Sequence, residues 1–197
     1  HLMTIAPDGR LFVVDRDMHE VVICTTSGER LGGLGRRGEP LRPFNHPSDV
    51  AIAPSGRIFV ATGAAAMGQG AYLGSFGGPG REPGRFMEPH ALWVFADGRV
   101  VVIDRCNDRV QVFTQEGELQ AVWEGFYRPV AIWGDADGNS YVVDSVPRLH
   151  LLDAGGRHLG LCRPVLNGAH GLFGNAAGDL FLAEGNPSRV TRLVCLA

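Results

Sequence analysis

The sequence lacks the features that mark several large classes of protein. It has no run of 18 apolar residues, so no segment is predicted to span a membrane. Its formal charge is only −3 and it has no run of Lys and Arg, which argues against a nucleic-acid surface. The first residues, HLMTIAPDGR, lack the basic start and the apolar stretch of a signal peptide. No signal peptide is therefore visible in this chain, and its localisation stays unknown.

Helical periodicity is also missing, but the sequence contains an internal repeat. Five ten-residue segments align without gaps, and their starts are 47, 42, 40 and 40 residues apart. The segments are HLMTIAPDGR (1–10), SDVAIAPSGR (48–57), HALWVFADGR (90–99), VAIWGDADGN (130–139) and HGLFGNAAGD (170–179). Each is an apolar run that ends in a small-residue turn containing Gly, which reaches positive φ without steric cost. The segments therefore predict five inner strands, each followed by a hairpin.

A β-branched and aromatic run follows each turn, and third and fourth strands follow in most repeats. Four short antiparallel strands every 40-odd residues predict an all-β fold, a β-propeller in one domain, 1–197. The predicted repeats span about 1–35, 46–78, 88–125, 128–162 and 168–197. Five blades can close as a ring or form part of a truncated six-bladed one. We favour five, because an open propeller would expose strand edges and a half-covered core.

Two repeats depart from this pattern. GAAAMGQG (63–70) stands where the second repeat should have its third strand, so that blade is expected to be shortened or opened. The last repeat stops after its third strand. The four cysteines form no CxxC pair and are expected to be small buried residues, although a bridge between Cys24 and Cys195 is left open.

Two segments carry a family resemblance. FNHPSDVAIAPSGRIFVA (44–61) and GREPGRFMEPHALWVFADGRVVVIDRCNDRVQVF (80–113) resemble NHL-repeat propellers. The order of repeats is similar to the catalytic core of peptidyl-α-hydroxyglycine α-amidating lyase. That family holds one zinc ion with histidines that begin the inner strands of alternating blades. The resemblance implies that Glu88-Pro89-His90 reproduces this setting, with His1 and His170 at the other two positions.

The register of the repeats points to the same three residues. Every blade of a propeller aims its first strand at the central channel, so His1, His90 and His170 should lie on one level. A lone His on an apolar strand is more often a hydrogen-bonded core residue, but three of five registered positions are His here. Three neutral imidazoles that leave one position open are the ligand set of a catalytic zinc ion. The predicted metal is Zn²⁺ or another divalent ion.

Other site residues follow from the second strands, which run back to the same face. Arg16 and Arg105 each follow a registered His by 15 residues and could bind an anionic or carbonyl group of a substrate. In the resembling family, the match to Arg105 is a site residue. The family's candidate base is a Tyr, but this chain has Thr62-Gly63-Ala64 in that region, and Tyr72 is the nearest substitute. The family's structural calcium needs an acidic residue where Gly171 stands here, so calcium lacks its expected ligand.

These observations favour a metal-dependent enzyme, a lyase or hydrolase, that acts on a small-molecule or peptide substrate. A hydrolase of esters, lactones or phosphoesters is an alternative to the amidating lyase. A non-catalytic NHL-type module that binds a ligand or a protein is another. A third is a purely structural metal that holds the ring together. The oligomeric state is left open.

Overall fold

The inner and outer strands of the repeats form five antiparallel sheets. The computed structural model describes residues 1–62, 65–68, 71–164, 168–186 and 188–195, with only the backbone of 65–68 and 71. The first four sheets have four strands each, and the last has three among the residues described. The strands of the first two sheets are β1 (Met3–Ile5), β2 (Leu11–Asp15), β3 (Glu20–Cys24), β4 (Arg30–Leu34), β5 (Asp49–Ile52), β6 (Arg57–Ala61), β7 (Ala65–Gly68) and β8 (Ala71–Gly74). Those of the other three are β9 (Pro89–Val94), β10 (Val100–Asp104), β11 (Arg109–Phe113), β12 (Leu119–Trp123), β13 (Pro129–Gly134), β14 (Ser140–Asp144), β15 (Leu149–Leu152), β16 (His158–Cys162), β17 (Ala169–Gly174), β18 (Leu180–Gly185) and β19 (Ser188–Leu193).

The predicted hairpin turns are confirmed in all five blades. The glycine of each aligned turn has a positive φ, between 82° and 91°. That conformation is costly for residues with a Cβ, which is why the aligned segments end in Gly. The turns are Gly9, Gly56, Gly98, Gly138 and Gly178.

Each interface between successive blades is filled by its own hydrophobic cluster. Phe12 and Val50 belong to the cluster between the first two blades, and Phe59 and Leu92 to the next. Two further clusters join the third blade to the fourth and the fourth to the fifth. Trp133 is 9% exposed in the last of these, as expected for packing between blades. The core of the molecule therefore lies between the faces of stacked blades.

The inner strands follow one another around a central channel. β1 contacts β5, β5 contacts β9, β9 contacts β13, and β13 contacts β17. Among the described residues, β17 and β1 do not pack in the same way. Apolar side chains on these two strands are exposed, including Met3, Ile5 and Phe173. The fold is thus an all-β propeller, whereas its closure by five blades stays a prediction.

The second blade corrects one expectation. A third strand is present in it, because β7 pairs with β6 and β8 pairs with β7. Ladder hydrogen bonds come from the backbone, so a small-residue segment can form a strand without β-branched side chains. Residues 63, 64, 69 and 70 of the segment expected to break the blade lie outside the described residues.

The cysteines correct a second expectation. All four are free, so the bridge between Cys24 and Cys195 is not formed. Cys106, Cys162 and Cys195 are exposed rather than buried: Cys106 lies in the short 3₁₀ helix Arg105–Asn107, Cys162 ends the outer strand β16, and Cys195 follows β19. Within the part of the chain that the structure describes, no helix is long and apolar enough to cross a membrane.

Candidate metal centre

Three histidines converge at one end of the central channel. His1 precedes β1, His90 lies in β9 and His170 lies in β17. Each offers one ligand nitrogen, and these nitrogens lie within 4.8 Å of one another. The ring centroids are 5.0 Å apart for His1 and His90, 5.2 Å for His1 and His170, and 4.9 Å for His90 and His170. The shared register position therefore brings the three imidazoles together, and the cluster could hold a metal ion.

A backbone irregularity helps to aim two of these side chains. In the fifth blade Ala169 pairs with Glu184 and Gly171 pairs with Ala183, so His170 is an extra residue in its strand. A similar shift between Val102 and Asp104 places an extra residue in β9, at His90 or Ala91. Such bulges bend a strand and redirect a side chain beside functional sites. The bulges hold both histidines at the same strand end.

Hydrogen bonds fix which nitrogen of two histidines is free. His1 Nδ1 lies 2.6 Å from the carbonyl oxygen of Ser48, and His90 Nδ1 lies 2.7 Å from that of Val130. A carbonyl oxygen only accepts, so Nδ1 donates in both rings and Nε2 keeps its lone pair. Ser48 and Val130 occupy the aligned position in the two repeats without His. The two blades that lack a histidine at this position thus orient the histidines of neighbouring blades through backbone carbonyl oxygens. Metal-binding histidines are commonly oriented in this way by a hydrogen bond to their second ring nitrogen.

The cluster favours neutral imidazoles. Burial lowers the pKa of His90 to about 4, and the nearby His170 and Arg105 act in the same direction. Burial likewise lowers the pKa of His170, followed by the charge of Arg105. Neutral imidazole is the form that binds metal, so at neutral pH these two rings are ready to act as ligands without first losing a proton.

The cluster opens into a polar cavity of about 380 Å³. Arg16 and Arg105, the two arginines expected at the site, both line it. Arg105 donates from Nη1 to Glu88 Oε1 at 3.1 Å, and its buried Nε has no partner among the described residues. Burial raises the pKa of Glu88, but the Cys106 thiol and Arg105 outweigh it and keep that pKa below its usual range. Arg105 therefore keeps an unused donor while it lines the same cavity as the three histidines.

Tyr72 is not brought to this cavity. It lies on β8, the outermost strand of the second blade, is 51% exposed and is not one of the residues that line the cavity. The inner end of a blade forms the channel and its fourth strand forms the rim, so proximity in sequence did not translate into proximity in space.

His46 is a cavity residue that the sequence reasoning missed. It lies in the loop before β5, two positions ahead of the aligned register, and lines the cavity with Asn45 and Thr62. Its backbone N–H donates to His19 Nδ1 at 3.0 Å, while the Asn45 N–H donates to Thr62 Oγ1 at 2.8 Å. The loop is thus tied to both the first and second blades. The Asn-His-Pro turn ahead of an inner strand was the only signal for it.

The aspartates that end the second strands of the third and fourth blades stabilise neighbouring loops. Asp104 Oδ1 accepts from the N–H of Met87 at 2.9 Å and of Glu88 at 3.3 Å. Asp144 accepts from the backbone of Tyr127, and also from Arg148. Their carboxylates are occupied by neighbours, so they do not act as bases at the cluster.

Comparisons with known proteins agree with this fold. The NHL repeat family matches residues 86–113. Over 127 residues the chain is 28% identical to NHL repeat-containing protein 3 of Homo sapiens, covering 57% of this chain and 37% of that protein. It is 32% identical, over 58% of its length, to the probable peptidyl-alpha-hydroxyglycine alpha-amidating lyase pgal-1 of Caenorhabditis elegans, of which it covers 36%. The chain thus spans little more than a third of these relatives.

A solved structure supports the architecture alone. A catalytically inactive virginiamycin B lyase from Staphylococcus aureus, in complex with quinupristin, matches 98% of this chain with a TM-score of 0.74. Its identity is 18%, and this chain covers 65% of it. The chain is therefore a β-propeller that contains an NHL repeat and resembles, over part of its length, peptidyl-α-hydroxyglycine α-amidating lyase.

Proposed function

We propose that this propeller is a metal-dependent enzyme in which His1, His90 and His170 hold one zinc or other divalent ion. The observation that carries the proposal is the convergence of three imidazole nitrogens within 4.8 Å at the head of a polar cavity. Three neutral nitrogens suit zinc, whose tetrahedral site places ligand nitrogens about 3.4 Å apart. A closure of at most about 1.4 Å, within reach of side-chain rotation, converts the cluster to that geometry.

The residues around the cluster suit a substrate with an anionic or carbonyl group. A zinc ion, when bound, supplies Lewis-acid polarisation of a substrate oxygen. Arg105 and Arg16 orient a carboxylate or carbonyl through charge-assisted hydrogen bonds, and the ion pair with Glu88 keeps Arg105 in place. His46 lines the cavity outside the cluster, and its imidazole could accept a proton in the role first expected of Tyr72.

The substrate is proposed to be a small molecule or a peptide. Cleavage of a carbinolamide follows from the resemblance to the amidating lyase, and hydrolysis of an ester, lactone or phosphoester uses the same groups. Because Thr62-Gly63-Ala64 stands where the resembling family has its tyrosine, the residues of the cavity favour neither reaction over the other. A binding module without catalysis is a second candidate, because the NHL repeat matched at residues 86–113 identifies a fold and not a reaction.

The test is activity on a peptidyl-α-hydroxyglycine and on an aryl ester, before and after removal of metal by a chelator. We expect activity to vanish with the metal and to return with added zinc, while circular dichroism shows an unchanged fold. His90→Gln should lose both metal and activity, whereas His46→Gln, in the same cavity, should keep the metal. Unfolding on chelation would instead favour a structural metal, and full folding without any bound metal would favour the binding module.

A further inference from the structure

A second pair of histidines lies in the fourth blade, away from the channel. His150 is on β15 and His158 is on β16, the two outer strands of that sheet. Their Nδ1 atoms are 3.5 Å apart, and the ring centroids are 5.2 Å apart. Phe126 packs against both rings, with centroid distances of 4.9 Å to His150 and 5.5 Å to His158. The pair is therefore held in place by the blade and not by the metal centre.

Hydrogen-bond partners determine the protonation of Nε2 in each ring. His150 Nε2 lies 3.1 Å from Asp144 Oδ2, and His158 Nε2 lies 3.2 Å from the carbonyl oxygen of Glu124. The pKa of Asp144 lies well below its usual range: burial raises it, but hydrogen bonds from His150 and Arg148 outweigh that effect. Ionised carboxylates and carbonyls only accept, so Nε2 donates in both rings. In the neutral rings both Nδ1 atoms are then unprotonated acceptors.

Two acceptor lone pairs at this separation repel each other unless a proton or a metal ion lies between them. The separation of 3.5 Å exceeds the length of an ordinary hydrogen bond, about 2.7–3.2 Å. It is close to the about 3.4 Å that separates two nitrogens on one tetrahedral zinc ion with bonds of about 2.0–2.1 Å. The Asp144–His150 contact also has the arrangement in which a carboxylate orients a metal-bound imidazole.

Access and charge are compatible with an ion at this position. His150 is 1% exposed, whereas His158 is exposed. An ion can therefore approach from the His158 side and keep water molecules as its remaining ligands. The charged groups next to His150 are the carboxylate of Asp144 and the guanidinium of Arg148, which form an ion pair. They leave no net positive charge to repel a cation.

We propose that His150 and His158 form a second divalent metal site, with affinity for borderline ions such as Zn²⁺, Cu²⁺ or Ni²⁺. Such a site would link the two outer strands of the fourth blade. It does not depend on the function proposed for the channel, because it shares no residue with that cluster.

The experiment is a zinc titration in a background without the channel cluster. His90→Gln/His170→Gln leaves a single histidine there, and we expect this protein to bind one zinc ion, with the imidazole NMR signals of His150 and His158 shifting together. Adding His158→Gln, whose amide can still donate to Glu124, should abolish that binding. Arg157→Gln, a change at the adjacent residue of the same segment, should leave it intact.

The proposal is overturned if the double variant binds no zinc, or if the two imidazole signals do not move on saturation. It is also overturned if binding persists after His158→Gln. If the two rings instead share a proton, the double variant should bind no zinc, and the two imidazole signals should respond to pH and not to zinc. Because His158 is exposed, its replacement should leave folding unchanged, which circular dichroism checks.

Discussion

Asp49 offers a direct test of the physical account of the channel. The residue begins β5 and lines an apolar part of the central channel. Its carboxyl accepts from the N–H of Val50 at 2.8 Å and from that of Leu92, on the next blade, at 2.9 Å. Burial outweighs these two donors and raises the pKa of Asp49 to about 7 from its ordinary 3.8. The folded protein therefore keeps a proton that the unfolded chain loses.

The sign of the effect follows from linkage. Between pH 4 and 7 the folded state binds more protons at this site, so its contribution to stability falls as pH rises. Each pH unit in this window costs about 1.4 kcal/mol, or about 4 kcal/mol in all. Above pH 7 both states are ionised, and the loss stops growing. Asp49→Asn removes the titration, so the penalty should disappear from its pH profile.

The assay is urea unfolding of the wild type and Asp49→Asn at pH 5, 6, 7 and 8. The stability of the wild type relative to the variant should fall by about 2–3 kcal/mol between pH 5 and 7 and then level off. Asp97→Asn is the matched control, because its exposed carboxyl pairs with Arg99 and has a lowered pKa. A constant difference in stability between wild type and Asp49→Asn from pH 5 to 8 would show that Asp49 does not retain its proton in the folded state.

Three further changes test packing and the proposed cavity. Gly134→Ala should lower the free energy of unfolding by about 1–3 kcal/mol, because the new Cβ would lie 2.4 Å from Trp93 Nε1 and from Phe95 Cε1. Gly32→Ala is the control in the same thermal unfolding assay, since no atom lies within 4 Å of its Cβ position and stability should not fall. Arg105→Gln should reduce kcat/KM about 10- to 100-fold for an anionic substrate and much less for a neutral one, as expected for one lost charge-assisted hydrogen bond; an equal loss for both would argue against substrate binding by Arg105. His46→Gln should lower kcat about 10²-fold or more without changing metal content, and an unaltered kcat would remove His46 from the proton transfer.

Much of the fold was predictable because the repeat is regular. The aligned turns end in Gly, and each of these glycines has the positive φ that the pattern required. The same alignment found His1, His90 and His170 because a propeller converts equal register into a common level around the channel. The repeat boundaries stay a prediction.

The remainder depended on contacts that leave no local pattern. The extra residue that aims His170 shows only in the pairing of β17 with β18. The loop of His46 is held by a hydrogen bond from the His46 backbone N–H to the His19 side chain of another blade, and such contacts have no fixed spacing in the chain. Tyr72 was considered as a substitute base because it is close in sequence to residues 62–64. It lies on β8, however, and the fourth strand of a blade is at the outer rim of the propeller. β7 was not predicted because its residues are small, although the hydrogen bonds that pair it with β6 and β8 come from the backbone alone.

The most direct measurement of the central claim is anomalous diffraction at the zinc edge from crystals of the zinc-loaded protein. We expect a peak about 2.0–2.1 Å from one ring nitrogen each of His1, His90 and His170, with Nε2 as the ligand atom in His1 and His90. Crystals of His90→Gln, loaded with zinc in the same way, should lack that peak. Saturated wild-type crystals without density at this point would contradict the account.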